Sequence, residues 1–134
     1  MSLHLFTLQQ AVYARLSGDS TLTTTLGAEV HDDVPEGTSF PYVVLGDDTS
    51  VEYGTKTLDG ASNTITLHVW SQYRGAKQIL EIMNRVHDLL HNYSLTVSGA
   101  NLINLRFEFS DTFRDPDGIS RHGVMRLRAV VMNT

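Results

Sequence analysis

The sequence contains no cysteine, which excludes disulfides and thiolate metal sites and leaves the thiol inventory silent about redox compartment. It has no apolar run approaching the ~20 residues needed to span a bilayer. Its start, "MSLHLFTLQQAVYARL", lacks both the basic opening and the unbroken apolar stretch of a signal peptide. The expectation is a soluble product made in the cytoplasm, with no membrane partner. Neither a P-loop nor G-x-G-x-x-G occurs, and no G-x-S-x-G elbow presents a serine nucleophile. Basic side chains are in the minority, 10 against 15 acidic for a formal charge of −5, which argues against a chain that coats nucleic acid through its overall field. Internal repeats and low-complexity segments are also missing.

What is present is one domain's worth of chain. A sequence of 134 residues buries roughly two-thirds of its unfolded surface in one core, so residues 1–134 are read as a single domain. Leu5, Leu8, Val12 and Leu16 recur at helical spacing and Gly18 closes the run, predicting an amphipathic helix over roughly residues 3–17. In "GDSTLTTTLG", Asp19 or Ser20 is a cap for one short helical turn anchored by Leu22 and Leu26. "FPYVVLG", Phe40 to Gly46, is apolar on both sides of its alternation and reads as an interior strand covered on both faces, with Pro41 tolerated near its start. Asp47 to Asn63 mixes glycine, threonine, serine and charge, and reads as a long loop or an extended, mobile hairpin.

"NTITLHVWS" alternates: Ile65, Leu67 and Val69 point one way, Thr66, His68 and Trp70 the other. "AKQILEIMNRVHDLLHN" sets Ile79, Met83, Val86 and Leu90 on one stripe and is the clearest helix. "YSLTVSG" reads as a short strand, and "INLRFEFSDTF" and "GVMRLRAVV" as two longer ones. The predicted order is helix, three strands, helix, three strands. It implies an α+β fold, a mostly antiparallel sheet packed by two main helices, with the last two long strands forming a hairpin.

The connection "FRDPDGISRHG" resembles a calcium loop only in composition. With Gly118 in the glycine position, Val124 falls where the bidentate glutamate belongs and Phe113 where the first ligand belongs. A type I turn fits better, with Asp115 first, Pro116 second and Gly118 left-handed at the end. A three-residue loop of this kind pairs Asp115 with Ile119. It sets Phe109 opposite Met125, Phe107 opposite Leu127, Leu105 opposite Ala129 and Glu108 opposite Arg126.

Candidate sites are few. His87 and His91 stand one helical turn apart in "HDLLH", the spacing of zinc helices, but Asp88 replaces the catalytic glutamate and no third ligand is evident, so partly exposed filler is the simpler reading. His31, Asp32 and Asp33 are best explained as a polar turn ahead of the Phe40 strand. Arg106, Arg126 and Arg128 lie on the non-core face of the last hairpin, where pairing with Glu108 competes with phosphate contact. Outward-pointing Trp70, with Tyr73 and Arg74 beside it, has the composition of an interface hot spot, although packing beneath a loop of the same chain explains it equally. Tyr53, in the Asp47 to Asn63 stretch, joins Trp70, Tyr73 and Arg74 as a candidate interface residue.

Three segments, "DDVPEGTSFPYVVLGDD", "TITLHVWSQYRGAKQ" and "LRFEFSDTFRDPDGISRHGVMRLRAVV", together resemble a family of small phage and prophage proteins associated with tail completion. The likeness runs from about Ala11 to Val130 and is strongest to the tail terminators of gene transfer agents, the phage-like particles of alphaproteobacteria. The resemblance implies a structural protein of the virion and no enzyme. Its subunits would form a homo-oligomeric ring, usually hexameric, at the head-proximal end of the tail, ending growth of the tail tube and offering the head-tail connector or adaptor a docking surface. DNA would pass through the ring without sequence-specific binding, and no catalytic residue, metal or cofactor is implied. The alternatives are a connector or adaptor protein, and a small metal-dependent hydrolase built on His87 and His91.

Overall fold

A computed structural model describes residues 4–52, 54 and 59–133. The elements run α1 (Leu5–Ser17), a π-helical turn (Thr21–Thr25), β1 (Glu29–His31), β2 (Tyr42–Glu52), β3 (Gly60–Ser71), α2 (Lys77–Leu90), β4 (Ala100–Arg114) and β5 (Arg121–Asn133). The strands form one sheet in the order β1-β2-β3-β5-β4, with β1 parallel to β2 and every other pair antiparallel. Both helices pack on one face, making the two-layer α+β arrangement that the sequence pattern predicts.

Period-two alternation builds that layer. Val43 and Leu45 of β2, Ile65, Leu67 and Val69 of β3, and Met125, Leu127 and Ala129 of β5 face the helices and are buried. Leu8, Val12 and Leu16 of α1 meet them, as do Ile79, Ile82, Val86 and Leu90 of α2. Each such fully buried side chain contributes about 1.5–3 kcal/mol relative to exposure. Residue 123 has to be glycine for α2 to come this close: a Cβ there would lie 2.6 Å from Met83 Sδ and 3.3 Å from Ile79 Cδ1.

Polar contacts pin the helices. Asp19 Oδ2 accepts the Leu22 N–H at 2.9 Å, capping the π-helical turn as the sequence suggests. The same carboxylate takes Arg85 of α2 in a fork, Nε at 2.9 Å and Nη2 at 2.7 Å. The Arg85 hydrogen bond holds Asp19 below its ordinary carboxylate range. From α1, Arg15 donates to the Leu89 carbonyl at 3.0 Å and lies over the Tyr93 ring, closing the end of α2.

Four expectations need correction. "YSLTVSG" is not a strand: left-handed Asn92 ends α2, and its N–H donates to Leu105 O at 2.7 Å. Leu95 and Val97 are buried without a ladder, so the alternation is real and reflects packing of an irregular segment. His31 belongs to a short strand, β1, and the predicted polar turn is confined to the bend at Asp32 and Asp33 that follows it. Of the two readings of Asp47 to Asn63 the extended hairpin holds over the described residues, the far ends of β2 and β3 pairing beyond a bulge in β2 between Gly46 and Thr49, while Tyr53 and residues 55–58 lie outside them. β2 is buried on its helix face and only half-buried on the other, so it is not covered on both sides. Pro41 sits just ahead of β2 after a cis peptide bond, where it takes no ladder hydrogen bond.

The last correction concerns the hairpin. Leu105↔Ala129 and Phe107↔Leu127 pair as predicted, but beyond Glu108 the register shifts, so Phe109 faces Arg126 and Ser110 faces Met125. Asp115 pairs with Ser120 instead of Ile119, its N–H donating to Ser120 O at 2.8 Å. The turn itself is as expected: Gly118 is left-handed and its N–H donates to Asp115 O at 3.0 Å. Asp117 causes the extra residue, because Oδ1 accepts both the Ile119 and Ser120 N–H groups at 2.8 Å and Oδ2 accepts the Ser120 hydroxyl at 2.8 Å. A loop one residue longer would put every core residue of β4 on the wrong face, and the bulge at Glu108 takes the extra residue up.

At the far end of the sheet, Asn63 is buried opposite Ser50, and neither its amide nor the Ser50 hydroxyl finds a hydrogen-bond partner among the described residues. Asn63→Leu is expected to raise stability by about 1 kcal/mol in denaturant unfolding, since it replaces an uncompensated buried amide by an apolar side chain with the same number of heavy atoms. Gly123→Val is expected to lower stability by about 1–3 kcal/mol, with part recovered by Met83→Ala, because the thioether is the group that must move.

Candidate functional site: the open face and edges of the sheet

The face turned away from the helices carries rows of cross-strand neighbours. In one row Glu29, Tyr42, Trp70, His122 and Phe113 stand side by side across all five strands. Trp70 stacks flat on His122 with ring centroids 3.9 Å apart, and Phe113 meets the other side of that imidazole edge-on at 4.8 Å. Phe40 extends the band against Tyr42 at 4.9 Å. In the next row His68 Nδ1 lies 2.8 Å from His122 Nε2, so one ring donates and the other accepts.

Burial, and then the neighbouring His68, hold the His122 imidazole below its ordinary range. Asp48 is pushed the opposite way: burial in the β2 bulge raises its carboxyl, the Thr66 N–H partly offsets this, and the charges of Asp47 and Asp32 add to the rise. Asp117 lies below the usual carboxylate range because the Ser120 and Ile119 amides and the Ser120 hydroxyl bind its charged form.

The predicted interface residues are dispersed. Trp70 is half-buried against His122, a role within its own sheet. Tyr73 and Arg74 are exposed on the turn after β3, where Ser71 Oγ accepts the Tyr73 N–H at 3.1 Å and donates to Gln78 Oε1 at 2.5 Å. Tyr53 lies outside the described residues. The structure adds Phe109 and Phe113, each 44% exposed, which the expected register had placed differently. Nothing in the local alternation of "LRFEFSDTF" signals the bulge that turns them outward. Arg126 lies over the Phe109 ring at 5.2 Å, and Arg128 reaches Glu108 at 3.7 Å.

On the helix side, the far half of β4 projects past α2 and leaves an open groove of about 450 Å³ lined by Leu80, Met83, His87, Phe107, Thr112 and Met125. His87 and His91 stack beside it, ring centroids 4.9 Å apart. His91 Nδ1 accepts the Phe107 N–H at 3.0 Å, so the histidine spacing serves to tie α2 to β4. Among the described residues no three His, Cys, Asp or Glu side chains converge on a point that would hold a metal ion. The geometry presents aromatic and arginine surface.

The sequence model of the family described as "Tail completion protein gp17" matches residues 10–132. A protein of that name from Bacillus phage SPP1 is 27% identical over 126 residues, covering 94% of this chain and 92% of its own. A chain in the structure described as the virion of a native gene transfer agent particle superposes with a TM-score of 0.88 at 29% identity, covering 94% of this chain and 95% of that one.

His122 makes stability depend on pH with a definite sign. The unfolded chain binds the His122 proton more tightly, so this contribution is complete above the ordinary histidine range of ~6.5 and is lost as the pH falls below it. The melting temperature is expected to drop between pH 7 and 5.5, and to drop less in His122→Phe, which keeps a ring on Trp70. Equal slopes in a thermal-shift titration would contradict the assignment.

Proposed function

The chain belongs to the Tail completion protein gp17 family, and from that premise we propose that it is a tail terminator, acting as a single domain whose copies close into a ring, six to a turn, on the end of the tail tube. It is a structural component of a phage-type tail and not an enzyme. The observation that carries the finer reading is the match to a chain of a gene transfer agent virion over nearly the full length of both chains, at a TM-score of 0.88. In this reading one rim of the ring stops addition of tube subunits and the other receives the head connector or adaptor. DNA passes through the opening without being read, which suits a chain of net charge −5. Exposed Tyr73 and Arg74, on the turn at one end of the sheet, are proposed contacts for tube or connector, with Trp70 near the end of β3 that leads into that turn.

Particles assembled without this protein are expected to carry tails of irregular length and to lack joined heads, and mass measurement of isolated tail ends should count six copies. Tails of normal length in its absence would sink the terminator reading. Labelled protein found on the head side of an otherwise complete tail ring would assign it to the connector instead.

A further inference from the structure

The two edges of the sheet differ in charge: the β1 edge is acidic, and the β4 edge, backed by β5, sets arginines among carboxylates. From Glu29 to Glu52 the chain has acidic residues and no lysine or arginine, and Glu29, Asp32, Asp33 and Glu36 lie on or just after the β1 edge, all exposed. Phe6, 69% exposed, and Tyr13 project from α1 next to Asp32, giving that edge apolar surface as well. At the opposite edge, β4 and β5 bear five arginines. Of their four acidic neighbours three are engaged, Asp115 and Asp117 by backbone N–H groups of their own turn and Glu108 by Arg128, while Asp111 of β4 is exposed. Arg106 stands directly across from Arg128, with Arg126 on the same face, and among the described residues neither Arg106 nor Arg126 has a carboxylate partner.

Like charges directly opposite on a sheet are unfavourable. A sheet edge that keeps them, beside exposed Phe109, Phe113 and Ile103, has the arginine and aromatic composition of an interface core lacking its counter-charge. A second copy of this chain supplies that counter-charge from its β1 edge. Two unlike, complementary patches at opposite ends of one sheet are what a rotational ring requires, since each subunit must offer one surface to the neighbour ahead and a different one to the neighbour behind.

We propose, resting on the ring reading above, that the ring closes head to tail, the arginine and aromatic β4 edge of each subunit docking on the acidic β1 edge of the next. The anion at Arg106 and Arg126 is then a neighbouring subunit's carboxylate surface and not DNA. Because the contact is between exposed charges, its formation is salt-sensitive.

Three variants test this on tails from a producer lacking the natural protein: Arg106→Glu with Arg126→Glu, Asp33→Lys with Glu36→Lys, and all four changes in one chain. Every changed residue is exposed, and thermal melts of the isolated proteins confirm folding. Each two-residue variant is expected to reduce ring-capped tails by tenfold or more, and the four-residue chain, whose edges are complementary again, to recover to within about threefold of the natural one. Capping by both two-residue variants at natural levels overturns the proposed contact while leaving the ring intact. Loss with the arginine variant alone, not rescued by the four changes, also overturns it and assigns the arginines to DNA or another tail component. A single copy of the natural protein per tail end removes the ring reading itself.

Discussion

The unbroken ladder between β3 and β5, from Gly60↔Met132 to Ser71↔Arg121, is the constraint on which the other features hang. Side chains alternate with a period of two, so placing Ile65 and Leu67 against Leu127 and Met125 on the helix side forces His68, Trp70, Arg126 and Arg128 to the other. β2 and β4 add on either side of this pair and inherit its facing near the helices. Each then passes through a bulge, at Asp47 and Asp48 in β2 and at Glu108 in β4. The helices cover only part of a sheet whose strands reach 15 residues in β4. The overhanging ends are therefore where bulges are tolerated and where surface remains for a partner.

In the β4–β5 hairpin, local chemistry and core packing make incompatible demands. Asp117 gathers three donors from Ile119 and Ser120, and that stable cap requires a four-residue loop. The core requires Phe107 opposite Leu127, which that loop alone would forbid. The bulge reconciles them by changing register between the turn and the core. The consequence is functional surface: the far half of β4 presents Phe109 and Phe113 to solvent and keeps Ser110 and Thr112 on the helix side, where no helix reaches. Apolar surface of this kind, concentrated at one edge, marks an interaction site more clearly than an isolated exposed side chain does.

Charge follows the same geometry. A net charge of −5 conceals a sheet whose first strands carry only carboxylates and whose last two carry most of the arginines. The polarity runs across the strands and not along the sequence of elements alone, because β5 inserts between β3 and β4 and brings Arg126 and Arg128 next to Arg106. The His68 and His122 rings, with Trp70, occupy the middle of the open face. They join β3 to β5 by stacking and by one shared hydrogen bond, leaving the edges free to serve assembly.

Much of this was legible in the linear chain. The two helices, the helix-facing sets of β3 and β5, the Asp19 cap, the left-handed Gly118 and the outward arginines all follow from periodicity and local side-chain chemistry, interactions between residues a few positions apart. The lack of catalytic spacing and the three segments shared with tail-completion proteins were equally local signals. Only tertiary structure decided the rest. Leu95 and Val97 alternate like a strand but have no neighbouring ladder, and a ladder is a property of two segments. The turn at Asp115 to Gly118 is written locally, yet its length is set against the core pairing of Phe107 with Leu127, and the bulge at Glu108 arises from that conflict. The outward turn of Phe109, the opposition of Arg106 and Arg128, and the separation of charge onto two edges depend on which strands lie side by side, an arrangement that hydrophobic burial across the whole sheet selects and no single stretch of sequence contains.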